Sequence, residues 1–288
     1  KSSVIVGNLN LPRNDYDVRY LNLSNCHANK GVLEKLISSC KSLQKLSLHL
    51  WSSTSNAIIF CNYQQLQTLD LTSFRGLDLE LMKNILCSKT MTEVSFRNNT
   101  YNSDWPIQYF VENLSSDIEK VSLGGMRNLK DKHVRVLVER CKKIKELELC
   151  GCRNITEDSL AIIVEHCDHM VKLNVSLTNI GLSVQGRHPL LNVISMPKLK
   201  VLNHQFLKQP SPETEFLRKV MPHLEINQPV FGGDLGIANP NESIKPENGI
   251  WEIFIKSIKL FPETQEGITR REQDGNGKML AATSVPLF

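Results

Sequence analysis

Residues 144–149 read Ile144-Lys145-Glu146-Leu147-Glu148-Leu149, and residues 170–175 read Met170-Val171-Lys172-Leu173-Asn174-Val175. Both follow one rule: apolar, two residues, apolar, one residue, apolar. Upstream the rule yields Val18, Leu21, Leu23, then Leu43, Leu46, Leu48, then Leu66, Leu69, Leu71. It continues as Met91, Val94, Phe96 and as Ile118, Val121, Leu123. Downstream, Leu199 and Leu202 keep it in weakened form, and Leu224 and Ile226 close the series. The starting positions are 18, 43, 66, 91, 118, 144, 170, 199 and 224, so each step is 23 to 29 residues. Self-similarity at such a period marks a repeat architecture and is weighed before any single motif.

Between these strand-like triplets the apolar period changes from 2 to about 3.6. Leu33, Leu36, Ile37 form one helical stripe, as do Met82, Ile85, Leu86, then Val134, Leu137, Val138, then Leu160, Ile163, Val164. Thr156 is read as an N-cap, with Glu157 and Asp158 favourably placed in the first turn. One strand and one helix cannot bury their apolar faces alone, but stacked copies bury them continuously. The period lies in the leucine-rich-repeat range. The expected fold is therefore α/β: a right-handed leucine-rich-repeat solenoid over residues 1–226, with a curved parallel sheet and outer helices. Residues 227–288 form a separate C-terminal tail.

The eight cysteines are few for a disulfide scaffold and are read as reduced thiols of an intracellular protein. Cys40, Cys141 and Cys167 each lie seven residues after the first apolar residue of a helical stripe, which places them on its buried side. Cys26 and Cys152 occupy the position after the strand where such repeats carry Asn or Cys. A zinc site from Cys150, Cys152, His166, Cys167 and His169 is the rival reading. The one-residue gap between the first two cysteines is shorter than usual zinc spacing, so packing is preferred. No metal, no cofactor and no catalytic constellation is expected, and the chain is read as non-enzymatic.

Net charge is +4 over 288 residues, too small to argue for nucleic acid or an anionic membrane. No apolar run reaches 18 residues, so no membrane span is expected. No signal-peptide pattern opens the chain. Position 1 is Lys rather than Met, so the chain is expected to be a fragment or a processed form. Gly232, Gly233 and Gly236 lack the Lys-Ser/Thr that a phosphate loop requires and are read as linker.

Side chains alternate across a strand, so the residues between the leucines line the concave side. They run Tyr20, Asn22, Ser24; Lys45, Ser47, His49; Thr68, Asp70, Thr72; Glu93, Ser95, Arg97; Lys120, Ser122, Gly124; Glu146, Glu148, Cys150; Lys172, Asn174, Ser176. Many are small and polar, a floor able to accept an extended segment or simply to meet solvent. In the tail, Ile250, Trp251, Ile253, Phe254 and Ile255 make a β-prone run that would be an aggregation hazard if exposed. Residues 250–260 are therefore expected to dock, along the concave floor, while the end of the tail is expected to be disordered.

The repeats resemble those of F-box leucine-rich-repeat proteins. Ser3-Val4-Ile5-Val6 and Leu21-Asn22-Leu23-Ser24-Asn25 resemble that family's first repeat after its F-box. Met221-Pro222-His223-Leu224-Glu225-Ile226-Asn227 resembles its closing segment, and Ile250-Trp251-Glu252-Ile253 a Trp-containing stretch of its tail. The resemblance implies a substrate receptor of a cullin-type ubiquitin ligase in the nucleus and cytoplasm. It implies an F-box upstream that binds the cullin adaptor, and a tail folded back over the concave face. It also implies a cell-cycle protein substrate, phosphorylated in that family and held with a small accessory subunit of cyclin-dependent kinases. Arg127 matches a charged residue that the family carries after a strand, whereas Gly151 and Leu177 stand where an acid and an Arg would be expected. The candidate protein-binding residues are Lys120, Arg127, Glu146, Glu148, Lys172 and Asn174, with Trp251 from the tail. The alternative is an interaction scaffold unconnected with ubiquitin.

Overall fold

The computed structural model describes residues 17–22, 24, 42–49, 64–74, 82–83, 86–99, 101, 103–181, 188–204, 211–227 and 250–254. Each leucine triplet becomes a short strand: β1 (Asp17–Asn22), β2 (Lys45–Ser47), β3 (Thr68–Asp70), β4 (Glu93–Ser95) and β5 (Lys120–Ser122). They continue as β6 (Glu146–Glu148), β7 (Lys172–Asn174), β8 (Val201–Asn203) and β9 (Glu225–Ile226). All pair in parallel with their sequence neighbours. The middle apolar residues stand in one column: Leu21, Leu46, Leu69, Val94, Val121, Leu147, Leu173, Leu202, Ile226. All but Ile226 are buried, each contributing about 1.5–3 kcal/mol of transfer free energy before ordering costs.

Parallel neighbours require a crossover. The described crossovers hold α1 (Trp105–Asn113), α2 (Asp131–Arg140), α3 (Glu157–His166), a 3-10 helix (Pro189–Ser195) and α4 (Pro212–Val220). Val134, Leu137 and Val138 of α2 and Leu160 and Ile163 of α3 face the core as expected. Thr156 accepts a hydrogen bond from the Asp158 N–H, the expected N-cap. Two helices were not anticipated. In α1, Ile107, Phe110 and Val111 supply the buried stripe, and in α4 Ser211 caps a helix that buries Thr214 and Leu217. Because a helix is 10–12 Å wide and strands stack at about 4.8 Å, the helical side must be the longer, convex one.

Cys141 and Cys167 are the C-caps of α2 and α3; their N–H groups donate to Leu137 O and Ile163 O. Cys152 is buried, and its thiol donates to Leu123 O over 3.2 Å. Asn99, in the equivalent position, donates to Leu71 O and Phe96 O. Burial holds the Cys141 thiol at a pKa of about 11, and burial pushes Cys152 and Cys167 up to about 12. Cys26 and Cys40 lie outside the described residues. Cys141, Cys150, Cys152 and Cys167 are free thiols. Among the described residues no group of three His, Cys, Asp or Glu is arranged to hold a metal ion, and no helix is long and apolar enough to cross a membrane.

Strand β10 (Ile250–Phe254) corrects one expectation. It does not cross the concave floor but pairs in parallel with β1 at the sheet edge, with Trp251 opposite Val18 and Ile253 opposite Leu21. An edge strand leaves a row of main-chain donors and acceptors open, and the tail satisfies them on β1. Residues 255–260 lie outside the described residues.

The weakened repeat at Leu199 and Leu202 has a physical explanation. His204 occupies its third apolar position and is 1% exposed. Its ring Nε2 lies 3.1 Å from the Thr214 hydroxyl of α4, and its N–H donates to Asn227 Oδ1. Burial, aided by the neighbouring His188, depresses its pKa to about 4. The unfolded chain takes up this proton near pH 6.5, so between about 6.5 and 4 the unfolded state binds more protons. Stability should fall as pH drops through that window, with a slope approaching about 1.4 kcal/mol per unit from this group. Urea unfolding of His204→Leu should show that slope reduced. Equal slopes in variant and parent would refute the assignment.

Asp131 at the start of α2 ties one repeat to the next. Its oxygens accept from the Thr156 N–H at 2.9 Å, the Thr156 hydroxyl at 2.9 Å and the Ser159 hydroxyl at 2.5 Å. Asp131→Ala should lower unfolding stability by about 2 kcal/mol. Asp131→Asn keeps one acceptor oxygen and should lose less; equal losses in the two variants would contradict this role.

Candidate protein-binding face

On the concave face the side chains form two rows that cross the strands. The row nearer the strand starts holds Glu93, Lys120, Glu146 and Lys172 in successive register. Lys120 Nζ lies 3.0 Å from Glu93 Oε1, and Lys172 Nζ lies 3.2 Å from Glu146 Oε1. Burial opposes the charge on Lys120, yet the carboxylates of Glu93, Glu146 and Glu119 hold its pKa above the ordinary value. The sequence-predicted residues Lys120, Glu146 and Lys172 are therefore brought together, with charges that answer one another. Of the two lysines in the row, Lys172 has the more exposed side chain, at 54%.

The second row holds Asn22, Ser47, Asp70, Ser95, Ser122, Glu148, Asn174 and Asn203. Two side-chain hydrogen bonds join neighbours within it. Ser47 donates to Asp70 Oδ2 at 3.2 Å, and the Ser122 hydroxyl donates to Glu148 Oε2 at 2.7 Å. Asn22, Asp70 and Asn174 each turn a side-chain oxygen onto the N–H two residues on, which fixes where the chain leaves the strand. Beyond that point it passes through left-handed conformations at Ser73, Asn98, Gly125, Gly151 and Leu177.

One ion pair skips a strand. Arg97, just past β4, reaches Glu148 on β6, with Nη2 3.1 Å from Oε1. Gly124, just past β5, lies between them. A Cβ there would stand 3.0 Å from Glu148 Oε1, 3.1 Å from Cys150 O and 3.4 Å from Arg97 Nε. Arg97 and Glu93 were not singled out from the sequence. The available signal was Gly124 itself, a missing side chain in the column between a cation and an anion.

The remaining candidates lie apart. Arg127 is exposed in the loop between β5 and α2, where its carbonyl accepts from Asn154. It borders the rows without joining them. Trp251 sits on β10, separated from β5 by four intervening strands. His166 lies 3.9 Å from Glu139, and His169 lies 3.0 Å from Lys198, so each faces a neighbouring repeat.

The sequence of residues 2–258 matches the family model of the SKP2 LRR domain, from ahead of β1 to beyond β10. The chain belongs to the SKP2 LRR domain family. No curated protein sequence matches it. Among solved structures, an internalin from Listeria monocytogenes is 12% identical with a TM-score of 0.45, covering 72% of this chain and 66% of its own. Rad7 in its complex with Elc1 from yeast is 13% identical, TM-score 0.38, covering 78% and 71%. Actin-binding site 2 of leiomodin-1 is 14% identical, TM-score 0.40, covering 51% and 90%. Membership makes this a leucine-rich-repeat interaction domain.

The clasp across Gly124 is testable. Gly124→Ala should part Arg97 from Glu148 and cost on the order of 1 kcal/mol in urea unfolding. In the background of Arg97→Met the same change should cost clearly less, since the pair it disturbs is gone. Additive losses would show that Gly124 acts only through the Cys150 backbone.

Proposed function

We propose that this chain is the substrate-recognition part of an SCF-type cullin ubiquitin ligase, holding a cell-cycle protein for ubiquitination and degradation. The observation that carries the reading is the family match over residues 2–258. Ubiquitin transfer is assigned to other subunits. The upstream segment supplies the F-box that binds the cullin adaptor, and the complex works in the nucleus and cytoplasm.

The site assigned to the substrate is the mixed-charge face over β5 to β7 with its border at Arg127, the residues being Lys120, Arg127, Glu146, Glu148, Lys172 and Asn174. Trp251 contributes from the edge. Alternating charge of this kind favours orientation and discrimination over bulk attraction. Exposed Arg127 suits bidentate capture of a carboxylate or phosphate, which fits a phosphorylated substrate. A cyclin-dependent-kinase accessory subunit would use the same border. Gly151 and Leu177 give it neither the acid nor the Arg expected from the resemblance.

The test uses the full-length protein with its upstream segment and a phosphorylated cyclin-dependent-kinase inhibitor, with and without the accessory subunit. The cullin adaptor should co-purify with the full-length protein and not with residues 1–288. Arg127→Ala and Lys172→Glu should each weaken inhibitor binding about tenfold with unchanged melting. Glu165→Lys on convex α3 should do little. Adaptor binding by residues 1–288, or sensitivity to the convex change alone, would defeat the reading.

A further inference from the structure

Over β2 to β6 much of the concave face pairs with itself, although Glu93 Oε2, Arg97 Nε and Glu148 Oε1 are left without hydrogen-bond partners. Hydroxyls pair with hydroxyls at Ser24 and Ser47 and at Thr72 and Ser95, and Glu148 takes Ser122 and Arg97. At β7 and β8 the unpaired atoms are a donor and an acceptor on two uncharged amides in register. Asn174 and Asn203 stand opposite each other in register on that face, each 7% exposed. Asn174 Oδ1 is occupied by the Ser176 N–H, but its Nδ2 has no partner, and neither has Asn203 Oδ1. A buried amide atom left unpaired costs free energy, and in a native protein each such atom calls for an explanation. Here there are two neighbours, one donor and one acceptor.

Beside them is a second irregularity. Leu177, three residues past Asn174, takes the left-handed conformation at φ 57° where the two preceding repeats have Gly125 and Gly151. It is 51% exposed. A large apolar side chain thus stands in solvent on backbone that disfavours it. Strain held in this way is a pointer to function.

We propose that Asn174 and Asn203 form a backbone-reading pair that holds an extended segment of the bound partner protein, with Leu177 against one of its apolar side chains. Neighbouring strands are about 4.8 Å apart, and the N–H and C=O of one residue in an extended chain point to the same side. Both atoms are closed to solvent in the free protein; once the two amides turn outward, one such residue can accept from Asn174 Nδ2 and donate to Asn203 Oδ1. The ligand is chosen by its main chain and one apolar group, because the amide pair carries no charge. The proposal rests on the reading of this face as the substrate surface and places an anchoring point on it.

The test selects binders to the full chain from a displayed library of random ten-residue peptides. The best binder is then compared with versions N-methylated at one backbone nitrogen at a time. One N-methyl position should abolish most of the affinity. Asn203→Leu should weaken the unmodified peptide about tenfold and leave the N-methylated one unaffected. Asn174→Ser, whose hydroxyl can still cap Ser176, should behave likewise. Leu177→Gly should weaken binding while melting temperature holds or rises, as should Asn203→Leu, since Leu177 stands in solvent and Asn203 Oδ1 is unpaired in the free protein. Loss of stability in Asn203→Leu with unchanged peptide affinity would make the pair structural and overturn the proposal. So would faster proteolysis of the tail in that variant, which would make the tail the occupant. Binders sensitive to Arg127→Ala and Lys172→Glu but not to the Asn variants would overturn this inference and leave the receptor reading standing. Binders indifferent to every variant would sink both.

Discussion

A leucine in one of these repeats has no adequate partner within its own repeat. It is buried only because the equivalent leucine of the next repeat lies against it, and the main-chain hydrogen bonds between three-residue strands hold the two in register. Everything else follows from this shared column. A three-residue strand would not persist alone, nor would a helix of nine or ten residues. The constraint also decides which surface is available. One face of each strand is spent on the column, so recognition falls to the other face and to the loops at its border.

That available face is less free than a census of its charges suggests. Glu93, Lys120, Glu146 and Lys172 neutralise one another across successive strands, and Arg97 is drawn over Gly124 to Glu148. Partly exposed pairs of this kind contribute little to stability individually, but they fix side-chain positions over several repeats. A partner meets a preset pattern of donors and acceptors rather than a set of mobile charges. Arg127, outside the rows, is the candidate cation most open to an incoming acid.

The repeat, its register and the buried roles of Cys141, Cys152 and Cys167 were legible in the sequence, because period and alternation report directly on which side of a strand or helix a residue faces. Helix α1 was equally written, in Ile107, Phe110, Val111 and Leu114, but its stripe was not separated from the surrounding text. The eighth repeat was obscured by one substitution: His204 fills a leucine slot and is accommodated by Thr214, a partner ten residues away that no periodicity announces. The site was harder to read. A pair such as Arg97 and Glu148 depends on an atom that is absent, the Cβ of Gly124. The location of 250–254 depends on which edge is open, a property of the assembled sheet. Local pattern speaks to neither.

The pairing of β10 with β1 has a consequence for how the protein is made. Asp17 and Ile250 are partners 233 residues apart, so β1 leaves the ribosome long before the strand that covers its outer edge. Repeats in between can nucleate and extend from neighbour to neighbour as they emerge. The repeat of β1 cannot share that security, because its covering strand is still unmade. During synthesis the open edge of β1 is a template for any passing extended chain, and an upstream domain or a chaperone has the whole of that interval in which to occupy it. A linear array is thereby given a late closing step, at the outer edge of β1.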